Sequence, residues 1–146
     1  MSTGTFEKQV NAFVTKTQEK LLAAAKNAIR KVVIEAQTTL DDGGKMHVDT
    51  GFLRWSGSAS LNQIPAGLSK GRKRENGEEG VLPEYALSEE GGRMLNEALT
   101  NMKIGDTFYF GWTAVYAPKR EMYDGFMASA VRNFSFHFDN EVRRLK

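Results

Sequence analysis

Few residues in this chain have the types and spacing that chemistry needs, and Asp49-Thr50-Gly51 is the most suggestive group. Asp-Thr-Gly supplies the catalytic carboxylate of aspartic proteases, where two like carboxylates share one proton because each raises the pKa of the other. A chain this short could build that pair only as a symmetric, nearly all-strand dimer. Its surroundings argue otherwise. The tripeptide follows a long helical pattern and Gly43-Gly44, and it precedes Phe52, too bulky for the tight turn that would bring two such loops together. No second glycine-centred motif follows an apolar strand near the C-terminus. Asp-Thr-Gly is also good turn chemistry, with Asp49 accepting backbone N–H bonds and Gly51 free to take positive φ. We read it as a turn, in which valine at position 51 would be strained if φ there is positive.

The other candidates are weaker. His47 and His137 are far apart and neither belongs to a ligand spacing such as HExxH. His137 falls in an aromatic helical stretch and reads as packed or partly exposed; His47 sits beside the turn with no evident role. Gly105 and Gly111 belong to no phosphate-binding signature. Glu78-Glu79 and Glu89-Glu90 are sequence neighbours, so their side chains do not converge as an acid/base pair would. The chain has no cysteine, hence no thiol nucleophile, disulfide or Fe–S ligand. No catalytic residue, cofactor or metal is expected, and the chain does not read as an enzyme. Lys70, Arg72, Lys73 and Arg74 form a basic cluster able to touch phosphates or a partner. Glu75, Glu78 and Glu79 cancel much of its field, and no aromatic residue is interleaved for base stacking. Arg143, Arg144 and Lys146 make a second basic group, placed where cations favour a helix C-terminus.

The elements that must position these residues begin with a long helix. From about Thr5 to Leu40, apolar residues including Phe6, Val10, Phe13, Val14, Leu21, Ala25, Ala28 and Val32 recur at steps of three and four. There is no proline, and Asp41-Asp42-Gly43-Gly44 offers a left-handed glycine cap. Such a helix would be about 50 Å long, against roughly 30–35 Å for a compact domain of this mass. Part of it should project onto a neighbouring chain, unless a break near Thr15–Thr17 divides it. Beyond the turn, Phe52, Leu53 and Trp55 precede small residues that read as a helical turn and then a strand; Trp55 is expected in the core. Residues 67–80 carry almost nothing apolar and read as an exposed, mobile loop. A helix is expected over Ser88–Met102, capped by Ser88, although Gly91-Gly92 argue for a later start. Lys103-Ile104-Gly105-Asp106 turns into a strand at Thr107–Trp112, a break follows at Ala117-Pro118, and an amphipathic helix runs from about Asp124 to the end. The fold class is α+β: a long N-terminal helix, a small, mostly antiparallel sheet, a middle helix and a C-terminal amphipathic helix.

Composition bounds the partners. The chain has 146 residues, the size of one domain, with 40% hydrophobic and 26% charged residues. Its net charge of +2 makes no strong electrostatic case for nucleic acid. No apolar run reaches the ~20 residues that span a bilayer, and the polar start MSTGTFEKQ lacks the apolar stretch of a signal peptide, so no membrane role is expected.

Three pieces in order carry a resemblance: Val48-Asp49-Thr50-Gly51-Phe52-Leu53-Arg54-Trp55-Ser56, then Lys103-Ile104-Gly105-Asp106-Thr107-Phe108-Tyr109-Phe110, then Val115-Tyr116-Ala117 with Glu121 soon after. With the long helix before them and a helix containing Phe126-Met127 and Phe134 after them, they resemble the neck or tail-completion proteins of tailed bacteriophages, the group that includes the minor tail protein Z of phage lambda. Met46-His47 stands where that pattern has a proline before Val48, and Pro118 follows Tyr116-Ala117 directly. The resemblance implies a virion protein at the head–tail junction, made in the host cytoplasm. It would form a homo-oligomeric ring, six-membered by the family's habit, between the head-side connector or head-closure protein and the tail terminator or tail tube, with DNA passing through in transient, non-specific contact. It also implies Asp49, Thr50, Gly51, Phe52, Leu53, Arg54, Tyr116 and Glu121 as interface and turn residues: the tripeptide aims Phe52, Leu53 and Arg54, Tyr116 anchors a loop, and Glu121 is an ion-pair partner. A tail terminator or head-closure protein of the same connector, or a phage protein that binds nucleic acid or a host factor, are the alternatives.

Overall fold

The structure, a computed structural model, describes residues 3–47, 52–65, 87–114 and 117–145. Asp49, Thr50, Gly51, the loop at 67–80 with its basic cluster, and Tyr116 lie outside the described residues. The fold is α+β, and helix dominates it. Helix α1 runs Thr3–Gln37 without interruption, as the periodicity predicts, and the alternative of a break at Thr15–Thr17 does not occur. Thr17 donates its hydroxyl to the Phe13 carbonyl (2.9 Å), one turn back, and the helix continues through it.

Helix α1 stops three residues short of the expected end. Thr39 is extended, and the glycine expected to cap α1 instead closes a 3-10 turn at Leu40–Asp42, with Gly43 at φ 91°. The loop folds back on the helix end through Met46 N–H to Thr38 O (3.2 Å) and Leu40 N–H to Met46 O (3.1 Å). It delivers Met46, fully buried, to the core.

After a four-residue helix α2 (Phe52–Trp55), strand β1 (Gly57–Leu61) pairs antiparallel with β2 (Phe108–Trp112), Gly57 opposite Trp112 and Leu61 opposite Phe108. The far end of this pair is closed by Asn62, whose Oδ1 accepts from Thr107 N–H (2.9 Å). Between the strands lies α3 (Glu89–Asn101), with Ser88 Oγ accepting from Gly91 N–H at 3.0 Å. Gly91 and Gly92 do not delay this helix. A Cβ on Gly91 would lie 2.2 Å from the Gly57 carbonyl oxygen, so glycine is what lets α3 rest on β1. Leu95, Ala98 and Leu99 of α3 then join Val33, Ala59 and Leu87 in one half of the core.

The C-terminal region departs most from expectation. Where a break was expected at Ala117-Pro118, helix α4 (Ala117–Asp124) begins, because proline in a first turn owes no intrahelical N–H bond. Gly125, at φ 65°, turns the chain into α5 (Phe126–Arg132), and Asn133 separates it from α6 (Phe134–Arg143). The single helix expected from about Asp124 to the end is thus two, α5 and α6, with α4 added before them. Helices α5 and α6 pack on α1, and α3 packs on β1. Trp112 connects the two halves of the core, meeting Phe110 and Phe126 edge-on with 5.0 Å between ring centres in each pair. No helix among the described residues is long and apolar enough to cross a membrane.

Candidate interface: the turn segment, the α4–α5 corner and an apolar groove

Of the segment that follows Asp49-Thr50-Gly51, helix α2 opens the described part. Leu53, expected at an interface, is 3% exposed and packs in the core with Met46, Trp55 and Phe126. Trp55 is buried, as expected. Arg54 is half-buried and locks onto the end of α1: its Nε donates to Gln37 O at 3.0 Å, and Gln37 Nε2 donates to Arg54 O at 2.8 Å. Gln37 Oε1 also accepts from Trp112 Nε1 at 2.8 Å. Burial lowers the Arg54 pKa from its ordinary value, and the charge of Asp42 opposes that shift. The backbone of Phe52 opens α2; its side chain lies outside the described residues.

Glu121 holds the α4–α5 corner. Its carboxylate oxygens accept from Met127 N–H (2.7 Å) and Ala128 N–H (3.0 Å), two amides of the first turn of α5 that would otherwise lack partners. Among the described residues it is therefore a helix cap rather than the expected ion-pair partner. Beside it, the Asp124 carboxylate is almost fully covered and takes a two-pronged bond from Arg120 (2.7 and 3.0 Å), with His47 Nδ1 2.8 Å away. His47, which had no role in the sequence, ties the loop after α1 to the end of α4. His137 lies 3.4 Å from Glu35, which also accepts from Asn133 (2.8 Å), so this histidine pins α6 to α1. Among the described residues, no group of three or more His, Asp or Glu side chains could hold a metal ion.

Two carboxylates are held below the usual carboxylate range. For Glu141 the main cause is the hydrogen bond from Lys31 across α1 and α6 (2.6 Å), which outweighs the opposing effect of burial. For Asp106 it is the Lys103 backbone N–H (2.8 Å), followed by the Asn62 side chain. Both stabilise structure and neither converges on a reactive partner.

Sequence reading missed a groove of about 410 Å³. Its floor is β2, with Phe108, Phe110 and Trp112; one wall is the C-terminal half of α1, with Ile29, Val32 and Ala36. Met127 and Val131 of α5 and Phe134 of α6 form the opposite wall. The rim remains open: Tyr109 is 37%, Met127 40% and Val131 57% exposed. Met122 and Tyr123, on α4, are also exposed. The periodicity of the C-terminal segment held this signal, since Met127 and Val131 lie on its apolar stripe, but the groove needed the unforeseen corner at Gly125.

The N-terminal half of α1 has the opposite character. From Glu7 to Leu21 it is almost wholly exposed, and its apolar stripe is bare: Val10 is 42%, Phe13 71%, Val14 45% and Leu21 37% exposed. No family profile, curated protein or solved structure matches the chain.

Proposed function

We propose that this chain is a structural protein of the tailed-phage head–tail junction, assembling as a ring that completes the neck or tail and lets DNA pass. The observation that carries the assembly part is the bare stripe on α1. Water-exposed phenylalanine and valines at helical spacing cost solubility and mark a surface that another protein covers. Placement at the junction rests on the ordered motifs at Val48–Ser56, Lys103–Phe110 and Val115–Glu121. A role in assembly also suits the kind of interactions found, which are caps, latches and packed corners. Electron microscopy of lysates from a phage lacking this gene is the test. Separate full heads and tails are expected, restored to joined particles by the gene in trans; normal, infectious particles would overturn the reading.

A further inference from the structure

The geometry points to the occupant of the groove: the projecting half of α1 from a second copy of this chain, so that copies join head to tail. This rests on the ring in the preceding reading, not on its place in a virion. The two surfaces are complementary in kind. One is a helix face with Val10, Phe13, Val14 and Leu21 on a single stripe, the anchor spacing of a helix laid in a groove. The other is a trough with an aromatic floor, open along its rim at Val131 and Met127.

One chain cannot satisfy both surfaces. The groove's wall is the C-terminal half of the same unbroken α1. The stripe lies farther along that rod, about 20–30 Å away at 1.5 Å per residue, and cannot fold back without breaking the helix. A stripe-to-stripe dimer would cover the helices and leave both grooves open.

Area favours repetition over an isolated pair. Four partly exposed side chains of this size offer on the order of 300–400 Å² of apolar surface. With the facing groove, one contact removes roughly 800 Å² in total, less than the ~1,200–2,000 Å² of a tight pair, so a single contact holds two copies weakly and fills only at high concentration. A head-to-tail contact also leaves one stripe and one groove bare in every open oligomer. Closure into a ring covers both and gives each copy two contacts.

The test is light-scattering mass of the purified full chain at rising concentration, with Phe13→Asp and Val131→Asp. Both residues are more than half exposed, so the fold survives either change, which circular dichroism checks. Wild type is expected to grow in mass. Each variant alone stays a monomer, with at least a tenfold loss of association. At the highest concentrations an equal mixture forms dimers and nothing larger, because one intact stripe and one intact groove remain between the two variants. A wild type that stays monomeric at every concentration overturns the proposal, as does a mixture that fails to pair. Val131→Asp assembling like wild type would do the same, indicating stripe-to-stripe contact or another surface. The chain has no cysteine, so engineered thiols give a second readout. A Thr17→Cys copy should form a disulfide with a Tyr109→Cys copy, and preferential Thr17→Cys self-linkage counts against the contact. These outcomes concern the contact itself, whereas joined particles without the gene would remove only the phage role.

Discussion

The two halves of α1 carry the same apolar periodicity and meet opposite fates. In the C-terminal half, Ala24, Ala28, Val33 and Ala36 are buried, and Lys31 and Glu35 are clamped by α6. In the N-terminal half the stripe continues through Phe13 and Val10, 71% and 42% exposed, with no other described element packed against it. Side-chain size separates them. The buried half is rich in alanine, which lets α5 and α6 approach closely, while the bare half carries larger anchors suited to entering a recess. Periodicity alone tells which face seeks cover; residue volume and contacts tell which chain provides it.

The sharpest way to break that contrast is to place one charge in each half. Val33→Asp buries an unpaired carboxylate in the core and should cost at least about 4 kcal/mol, enough to unfold much of a marginally stable domain. Phe13→Asp should change chemical-denaturation stability, measured at high dilution, by less than about 0.5 kcal/mol. Equal effects would mean that the stripe is covered within its own chain.

A smaller effect is expected where packing is tight for a different reason. Gly91→Ala would gain about 1 kcal/mol of helix propensity. It also drives a Cβ against the Gly57 carbonyl, so a net loss of about 1–3 kcal/mol should follow. Gly111→Ala meets open space within 4 Å and should be nearly neutral. Thermal melts of both variants check this, and a stabilised Gly91→Ala would deny the close approach of α3 to β1.

Here the sequence was legible in part, and the reasons are local. Periodicity gave α1 and α3, and β-propensity gave β2, because each is decided within its own window. Ser88 was readable as a cap for the same reason. Gly91 reads as helix-weakening because its value lies in a neighbour, the Gly57 carbonyl, that no local window contains. Helix α4 was hidden by Pro118, which reads as a breaker until it is known to lie in a first turn. Leu53 and Glu121 were given outward roles because the resemblance supplies residue types without directions; one faces the core and the other caps α5. The apolar groove required three elements at once.

Glu121 offers a test of the groove's far wall. Glu121→Ala removes two acceptors from the first turn of α5 and should cost about 1 kcal/mol, with Glu121→Gln intermediate, by urea unfolding. Because α5 carries Met127 and Val131, the same change should also weaken self-association. Stability loss without that weakening would separate the corner from the groove.

Acid should loosen the clamped half of α1 in a defined direction. Glu141 is held below its ordinary value of 4.5 in the folded chain, chiefly by Lys31. Its contribution is therefore complete well above pH 4.5 and is lost as pH falls from there through the lower folded value. Glu141→Gln should flatten that part of the stability–pH curve. An unchanged slope would show that the clamp adds nothing beyond packing.

The smallest expected effect on the fold is the most telling about the stripe. Removing residues 1–18 deletes almost half of α1, yet it takes no residue from either half of the core. The melting temperature of the monomer should hardly move, because a largely exposed helix contributes little beyond its own marginal propensity. Self-association should vanish altogether. A large drop in melting temperature, measured at a concentration where wild type is monomeric, would mean that the projecting half supports its own chain. The contrast between the two halves of α1 would then lie in residue size alone, not in which copy covers them.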